Sequence, residues 1–368
     1  MLDRIKLSGY KSIYEMDLSL GPLNVLIGAN GAGKSNLINF FKLFNHMMSK
    51  NLQQYIGASG SANDILYYGA KRTPQMTATL NFSTPSGNNV YHMRLMSAAG
   101  DTLIFADEAI SFTRDNTVEK PLVSLGAGHR ESRLLEEDLV CSPKTARVIK
   151  TIMQNWRVYH FHDTSSTANV KKKAYINDNH YLRDDAGNLA AFLYQMQKME
   201  PSYYRRIITT IQLVAPFFGD FVLSPDGLNP NNILLNWRDQ GADMNTVFGP
   251  HQLSDGTIRF MALITLLLQP RLPQIIIIDE PELGLHPYAL SILVGLFKSV
   301  SRQTQIIVST QSTTLIDYLE PDNIIVVNRE NDQSCFRRLS EEELSAWIEE
   351  YSLSELWEKN VLGGRPSR

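Results

Sequence analysis

The chain has 368 residues, 43% of them hydrophobic and 20% charged, with a formal net charge of −3. At ~100–200 residues per domain, this allows about two domains, or one large domain with an insertion. The balance excludes a disordered chain and a protein that coats nucleic acid with its whole surface. Two cysteines, Cys141 and Cys335, exclude a disulfide-stapled scaffold. The longest apolar runs, Met261–Leu268 and Ile275–Ile278, fall short of the ~20 residues that span a bilayer. The opening MLDRIKLSGYKS lacks the apolar core of a signal peptide. A cytoplasmic address without membrane contact is the expectation.

Apolar–polar alternation over the first twenty residues predicts two antiparallel strands around a Gly9–Ser12 turn. Leu23–Ile27 reads as a buried strand, and Asn36–Met48 has helical spacing. Leu52–Pro74 reads as loop with short helices. Met76–Phe82 and Val90–Met96 form a hairpin across Pro-Ser-Gly-Asn-Asn, continued by Leu103–Phe105 and Ala109–Thr113. Helices are expected over Ser132–Ile152 and Leu189–Leu213. A strand follows at Ile233–Trp237 and a helix at Thr257–Leu268. Then Ile275–Ile278, Gln305–Val308 and Asn323–Val327 alternate with helix, the pattern of a parallel sheet. Ser340–Glu358 is an acidic, amphipathic tail.

Gly28-Ala29-Asn30-Gly31-Ala32-Gly33-Lys34-Ser35 satisfies G-x-x-x-x-G-K-[ST] between a predicted strand and a predicted helix opening at Asn36. Glycines let backbone N–H groups curl around phosphate oxygens, and the helix N-terminus adds positive potential. Lys34 then reaches the β/γ-phosphates and Ser35 ligates Mg²⁺. Ile275–Ile278 followed by Asp279-Glu280 supplies the partner motif. A buried parallel strand presents Asp279 at its carboxyl end, for Mg²⁺ through water, and Glu280 beside it to polarise an attacking water. Ser254-Asp255-Gly256-Thr257 opens a helix, where Ser254 is first of all an N-cap.

Leu253–Thr257, LSDGT, is similar to the signature motif of ABC-type ATPases, and EPELGLHP (Glu280–Pro287) resembles the D-loop region of the SMC, RecF and OLD branch. Tyr159–Thr164 (YHFHDT), Leu182–Leu189 (LRDDAGNL) and Glu355–Asn360 with Gly363-Gly364 resemble stand-alone AAA_21, RecF/OLD-like ATPases over nearly the whole chain. The resemblance implies an α/β P-loop NTPase of ABC type: a mixed and antiparallel lobe, a parallel-sheet lobe and a mainly helical insertion. The expected division is a head from 1–120 and 240–335, an insertion over 121–239 and a tail over 336–368. Ser254, Asp255 and Gly256 would act in trans on ATP held by a second copy, giving a homodimer around two ATP. Glu282 and His286 belong to the D-loop. Gln311, where relatives carry a histidine, would sense the γ-phosphate, the alternative being a simple strand-end cap. A Q-loop glutamine is implied, and Gln75 is the candidate ligand. Arg4 and Lys11, near the first strand turn, either approach the nucleotide or are surface charges.

Two further features stay open in the sequence. His160 and His162, two apart with Asp163 adjacent, suit either a metal or a packed network, and no third ligand has suitable spacing. Lys144–Arg183 carries eight basic and two acidic residues, a net +6. This segment either contacts nucleic-acid backbone or is a solvated face. The leading reading is an ATP-hydrolysing switch coupled to DNA or a separate effector protein, in DNA repair or anti-phage defence. A weakly hydrolysing DNA-binding scaffold is the alternative. The 219 positions between Ser35 and Ser254 argue against a transporter subunit.

Overall fold

The computed structural model describes residues 1–363 apart from Asn116, Glu119, residues 137–141, Met244 and Glu349. In chain order the elements are β1 (Leu2–Tyr10), β2 (Ile13–Ser19), β3 (Leu23–Ile27), α1 (Lys34–Met47), α2 (Leu52–Ala58), α3 (Ala62–Ile65), β4 (Gln75–Thr84), β5 (Gly87–Ala98), β6 (Thr102–Thr113) and β7 (Val123–Gly126). They continue with α4 (Pro143–Gln154), β8 (Trp156–Tyr159), β9 (Ala174–Tyr175), α5 (Leu189–Met199), α6 (Pro201–Val214), β10 (Phe218–Val222), β11 (Asn232–Ile233) and β12 (Asn236–Asp239). The last are α7 (Asp255–Leu268), β13 (Ile275–Asp279), α8 (Pro287–Val300), β14 (Gln305–Thr310), α9 (Thr313–Ile316), β15 (Ile324–Glu330), β16 (Gln333–Arg338), α10 (Glu341–Ile348) and α11 (Leu353–Glu358). None of the described helices is long and apolar enough to cross a membrane.

The chain packs as two compact units, one of residues 1–157, 274–277 and 305–368, the other of 158–273 and 278–304. The segment 121–239 contributes to both, and its helices α4–α6 are interleaved with the short strands β7–β12.

The first unit holds an antiparallel sheet in the order β2-β1-β4-β5-β6-β7. It also holds a second sheet in which β3 lies between β15 and β14, parallel to both, with β16 antiparallel on β15. Every residue of β3 and β14 is buried, which is why their apolar stretches, Val25–Ile27 and Ile306–Val308, do not alternate with exposed polar residues. Helix α1 inserts its aromatic face into this unit. Phe41 and Phe44 meet Trp156 edge-on at 5.4 and 5.7 Å, Phe44 meets Tyr91 at 6.1 Å, and Phe40 meets Tyr10 at 5.7 Å. Such pairs contribute about 0.5–1.5 kcal/mol each beyond burial, so the helix behind the glycine loop is rigidly seated. The buried amide of Gln305 ties the sheets together, accepting from Leu2 N (3.0 Å) and donating to the Leu2 and Gly21 carbonyls (2.8 and 2.9 Å).

The second unit is built around α7, whose residues Ile258 to Leu268 are all buried. A helix apolar on every side has to be surrounded by protein. Two small antiparallel pairs, β10 with β12 and β11 with β9, complete it.

Local departures from expectation have plain causes. The first hairpin is longer and tighter than expected: β4 and β5 pair up to Thr84 opposite Gly87, and Gly87 takes φ +133° at the turn. The two fragments expected after it form one strand, β6, absorbing an irregularity opposite Arg94/Leu95. The helix expected over Leu189–Leu213 is broken at Glu200, because Pro201 has no N–H to continue the ladder and instead starts α6. The expected Ser132–Ile152 helix begins only at Pro143. Ser132 caps a single 3₁₀ turn, Arg133–Leu135, while residues 137–141, including Cys141, lie outside the described residues. The strand expected at Ile233–Trp237 is divided between β11 and β12 in different sheets. The acidic tail forms α10 and α11, and Gly364 lies outside the described residues.

Candidate functional site

In the first unit, the chain leaves β3 at Ile27, turns through Gly28–Gly33 and enters α1 at Lys34. Gly31 and Gly33 adopt φ +79° and +119°, a region that side-chain-bearing residues avoid, so the sequence spends glycine where the loop needs it. A Cβ at Gly28 would collide with the Val327 carbonyl and one at Gly33 with the Ser334 hydroxyl. The N-terminus of α1 has no side-chain cap and no acidic residue in its first turn. Its N–H groups and dipole therefore favour an anion. Lys34 is 5% exposed, and its Nζ donates to the loop's own Gly28 carbonyl (2.5 Å) and Ala29 carbonyl (3.1 Å). The ammonium thus lies along the loop, held by neutral carbonyls. Ser35 is exposed on the first turn of α1.

Two residues beside this loop escape the motif. Asn36 Nδ2 donates to Ser12 Oγ (2.6 Å), and Ser12 shares a hydrogen bond with Ser334 (2.6 Å). Ser12 stood in the GYKS turn and could have been found there. Ser334, on β16, gave no sequence signal. Lys11, at φ +47°, has its pKa lowered by burial, with Asp64 opposing. It lines an open cleft of about 630 Å³ together with Ser12, Asn36, Asp64 and Tyr68. Arg4 instead forms an exposed bidentate pair with Asp17, both contacts 2.5 Å. Gln311 directly follows β14, whose Thr310 pairs with Ile27 of β3, so Gln311 stands at the same sheet edge as Gly28. Gln75 is the exposed first residue of β4.

In the second unit, Asp279 ends β13 and Glu280 follows at φ +43°, left-handed backbone for a residue with a side chain. Strain of this kind costs about 1–3 kcal/mol and concentrates at functional positions. Ser254 caps α7, accepting from Thr257 N at 3.1 Å. Asp255 pairs with Lys171 (2.9 Å), a buried lysine that also donates to the Thr164 carbonyl. Gly256 packs against the turn after β13: a Cβ there would strike the Gly284 carbonyl, and Gly284 itself sits at φ +73°. His286 caps α8, accepting from Tyr288 N. Arg259, 7% exposed, binds the whole arrangement. Its Nε donates to Phe161 O (2.8 Å), its Nη2 to His162 O (3.0 Å) and its Nη1 to Leu283 O. Burial lowers the Arg259 pKa, with Asp255 and Glu282 opposing.

Beside the two histidines of the YHFHDT segment stands a third group that sequence spacing did not reveal. Asp163 turns away, accepting from Ser165 N and Oγ (3.1 and 2.7 Å), which holds its pKa below the ordinary carboxylate value. Asp279 takes its place: His160 Nδ1 lies 3.5 Å from the Asp279 carboxylate, and His162 Nε2 lies 2.8 Å from the Asp279 carbonyl. Asn188, fully buried, orders LRDDAGNL by accepting from Arg183 N and donating to the Asp178 and Tyr181 carbonyls.

The basic segment is partly neutralised. In the second unit, Lys171, Lys173 and Arg183 pair with Asp255, Asp226 and Asp178. In the first unit, Lys144 and Arg147 are exposed on α4.

Residues 145–317 match the family model AAA_21, described as "AAA domain, putative AbiEii toxin, Type IV TA system". No curated protein matches the chain. Among solved structures, an Smc head bound to the C-terminal winged-helix domain of ScpA superposes with TM-score 0.62 at 15% identity, covering 94% of this chain and 99% of that one. The Smc head from Pyrococcus furiosus, with an extended coiled coil and bound to the C-terminal domain of ScpA, gives TM-score 0.58 at 14% identity, covering 95% and 98%. Residues 145–317 are thus similar to the AAA_21 family, and the chain as a whole has the P-loop α/β fold of the Smc heads.

Proposed function

We propose that this P-loop ATPase works as a nucleotide-gated switch: it binds ATP with Mg²⁺, hydrolyses it, and passes the change to a separate partner. The observation that carries the reading is the phosphate loop. Its two left-handed glycines, uncapped helix N-terminus and inward-lying Lys34 form an anion cradle that needs no rearrangement of the backbone.

In this reading the nucleotide-binding residues are Gly28 and Asn30 to Asn36, whose backbone N–H groups hold the phosphates, and Lys34 exchanges loop carbonyls for β/γ-phosphate oxygens. Ser35 and Asp279 are the residues proposed for Mg²⁺ by the motif reading, since a hard ion prefers hydroxyl, carboxylate and water. Bound there, Mg²⁺ would neutralise developing charge on the phosphates. Glu280 orients the attacking water as a general base. Gln311, standing at the edge beside the loop, offers an amide to the γ-phosphate and, unlike the histidine of relatives, carries no titratable proton. Ser254 and Gly256 act on the nucleotide of a second copy, which makes the active form a homodimer. Gln75 stays a candidate ligand to the ion. Since the solved Smc heads bind ScpA, a partner protein at a comparable surface is part of the proposal. DNA contact through Lys144 and Arg147 belongs to it as a second arm.

The test is nucleotide binding and assembly in solution. Lys34→Ala should abolish binding of a fluorescent ATP analogue. Glu280→Gln should bind ATP, hydrolyse it far more slowly and shift to a dimer by light scattering. Wild-type turnover in Glu280→Gln would remove Glu280 from the role of base.

A further inference from the structure

We propose that His160, His162 and Asp279 form a binding site for a divalent transition-metal ion of the Zn²⁺ class. Among the described residues these three groups each offer a ligand atom, all within 4.8 Å of one another. The spacing between His160 Nδ1 and the Asp279 carboxylate is 3.5 Å. Two ligands at ~2.0–2.1 Å from one tetrahedral ion stand about 3.3–3.4 Å apart, so this pair already spans a metal's coordination angle. The imidazole planes are nearly perpendicular, at 85° with centroids 5.7 Å apart. They meet edge to face rather than stacking, with His160 facing the Asp279 carboxylate and His162 the Asp279 carbonyl.

The second observation concerns the tautomer. His162 Nε2 lies 2.8 Å from the Asp279 carbonyl, an acceptor only, so this nitrogen carries the proton. The lone pair of His162 is thereby placed on Nδ1. A ligating histidine that donates its other N–H to a backbone carbonyl is the supporting arrangement of metal sites. The backbone under it is fixed as well. Arg259 holds the Phe161 and His162 carbonyls at 2.8 and 3.0 Å, and Phe161 is buried between the two histidines. Two imidazoles and a carboxylate suit Zn²⁺, Co²⁺, Fe²⁺ or Ni²⁺, whereas Mg²⁺ prefers an all-oxygen shell. Three protein ligands leave at least one position open for water or another oxygen ligand.

Asp279 is shared with the Mg²⁺ site of the proposed function, so the test is run without nucleotide, where loss of transition-metal binding and loss of ATP binding are read separately. The full chain, freed of any affinity tag and treated with chelator, is titrated with Co²⁺ and followed by its d–d absorption, then by competition with Zn²⁺ and Mg²⁺. The expected result is one equivalent bound, displaced by Zn²⁺ and not by equimolar Mg²⁺. His160→Asn and His162→Asn should each weaken binding by at least the ~10–100-fold that loss of a mere supporting partner costs. Replacing exposed histidines elsewhere, His180→Gln and His251→Gln, should change nothing. Should the site variants fail to fold, X-ray absorption at the cobalt edge of the wild type reads two imidazole ligands directly. Absence of bound Co²⁺ and Zn²⁺ on the wild type, binding that survives both site variants, or an edge spectrum with all-oxygen ligation overturns the proposal.

Discussion

Arg259→Met tests whether one guanidinium holds helix α7, the turn around Leu283 and the Phe161–His162 segment together. Methionine keeps an unbranched apolar stem of similar reach, so the perturbation removes donors rather than volume. The three carbonyls of Phe161, His162 and Leu283 lose a charge-assisted partner. Such bonds are worth about 1.5–3 kcal/mol each. They share one side chain and do not add. The variant also no longer buries a guanidinium whose burial disfavours its charge. A net loss of about 3 kcal/mol follows from these opposing terms. At ~2–4 °C per kcal/mol for a body of this size, the melting transition should fall by roughly 6–12 °C. Arg259→Lys should fall between, since an ammonium lacks the planar fork that reaches three carbonyls. Calorimetry gives the shift, and hydrogen exchange at Phe161–Asp163 and Leu283–Leu285 locates it. A transition within ~2 °C of wild type, or one that falls with exchange unchanged at those segments, would refute the clamp.

Other outcomes follow from single contacts. Gly256→Ala places a methyl on the Gly284 carbonyl, and should lower the melting temperature more than Gly31→Ala, whose Cβ meets nothing. Gly31→Ala should instead weaken nucleotide binding through its φ of +79°, read by fluorescence titration. Glu108 is fully buried and accepts from Tyr91 Oη, His129 Nε2 and Arg133 N at 2.7–2.9 Å and from Ser132 Oγ at 2.5 Å, so Glu108→Leu should cost about 3 kcal/mol or more in unfolding, and Glu108→Gln less. Burial lowers the pKa of His46, with Lys42 adding, and of His92, with Asp107 opposing and Arg94 adding. The unfolded chain therefore takes up protons first, and stability that is full above about pH 6.5 declines as pH falls toward the folded values. Melting curves between about pH 7.5 and 5.5 should show this, and the double variant His46→Gln with His92→Gln should flatten the slope.

The sequence by itself determined what depends on neighbours along the chain. A glycine loop, the strand before it and the helix after it are contiguous, so Gly28–Ser35 announced its conformation. The same holds for the isoleucine run that ends at Asp279, and for Ser254 as a cap, because β-branched burial and capping act over a few residues. Pro201 acts just as locally, breaking the apolar periodicity that runs from Leu189 to Leu213.

Tertiary structure decided what depends on distant residues meeting. Asp163 adjoins the histidines in sequence but turns to Ser165, while Asp279, more than a hundred positions away, faces them. Arg259 looked like one polar residue in an apolar helix until three carbonyls from two other segments gathered round it. The +6 segment stayed open between a nucleic-acid contact and a solvated face until Asp226 and Asp255, both from outside it, paired with Lys173 and Lys171. The physical reason is common to all three. Local conformation is set by backbone sterics and short-range hydrogen bonds. The partner of a buried polar or charged side chain is set by which segments the hydrophobic core brings together.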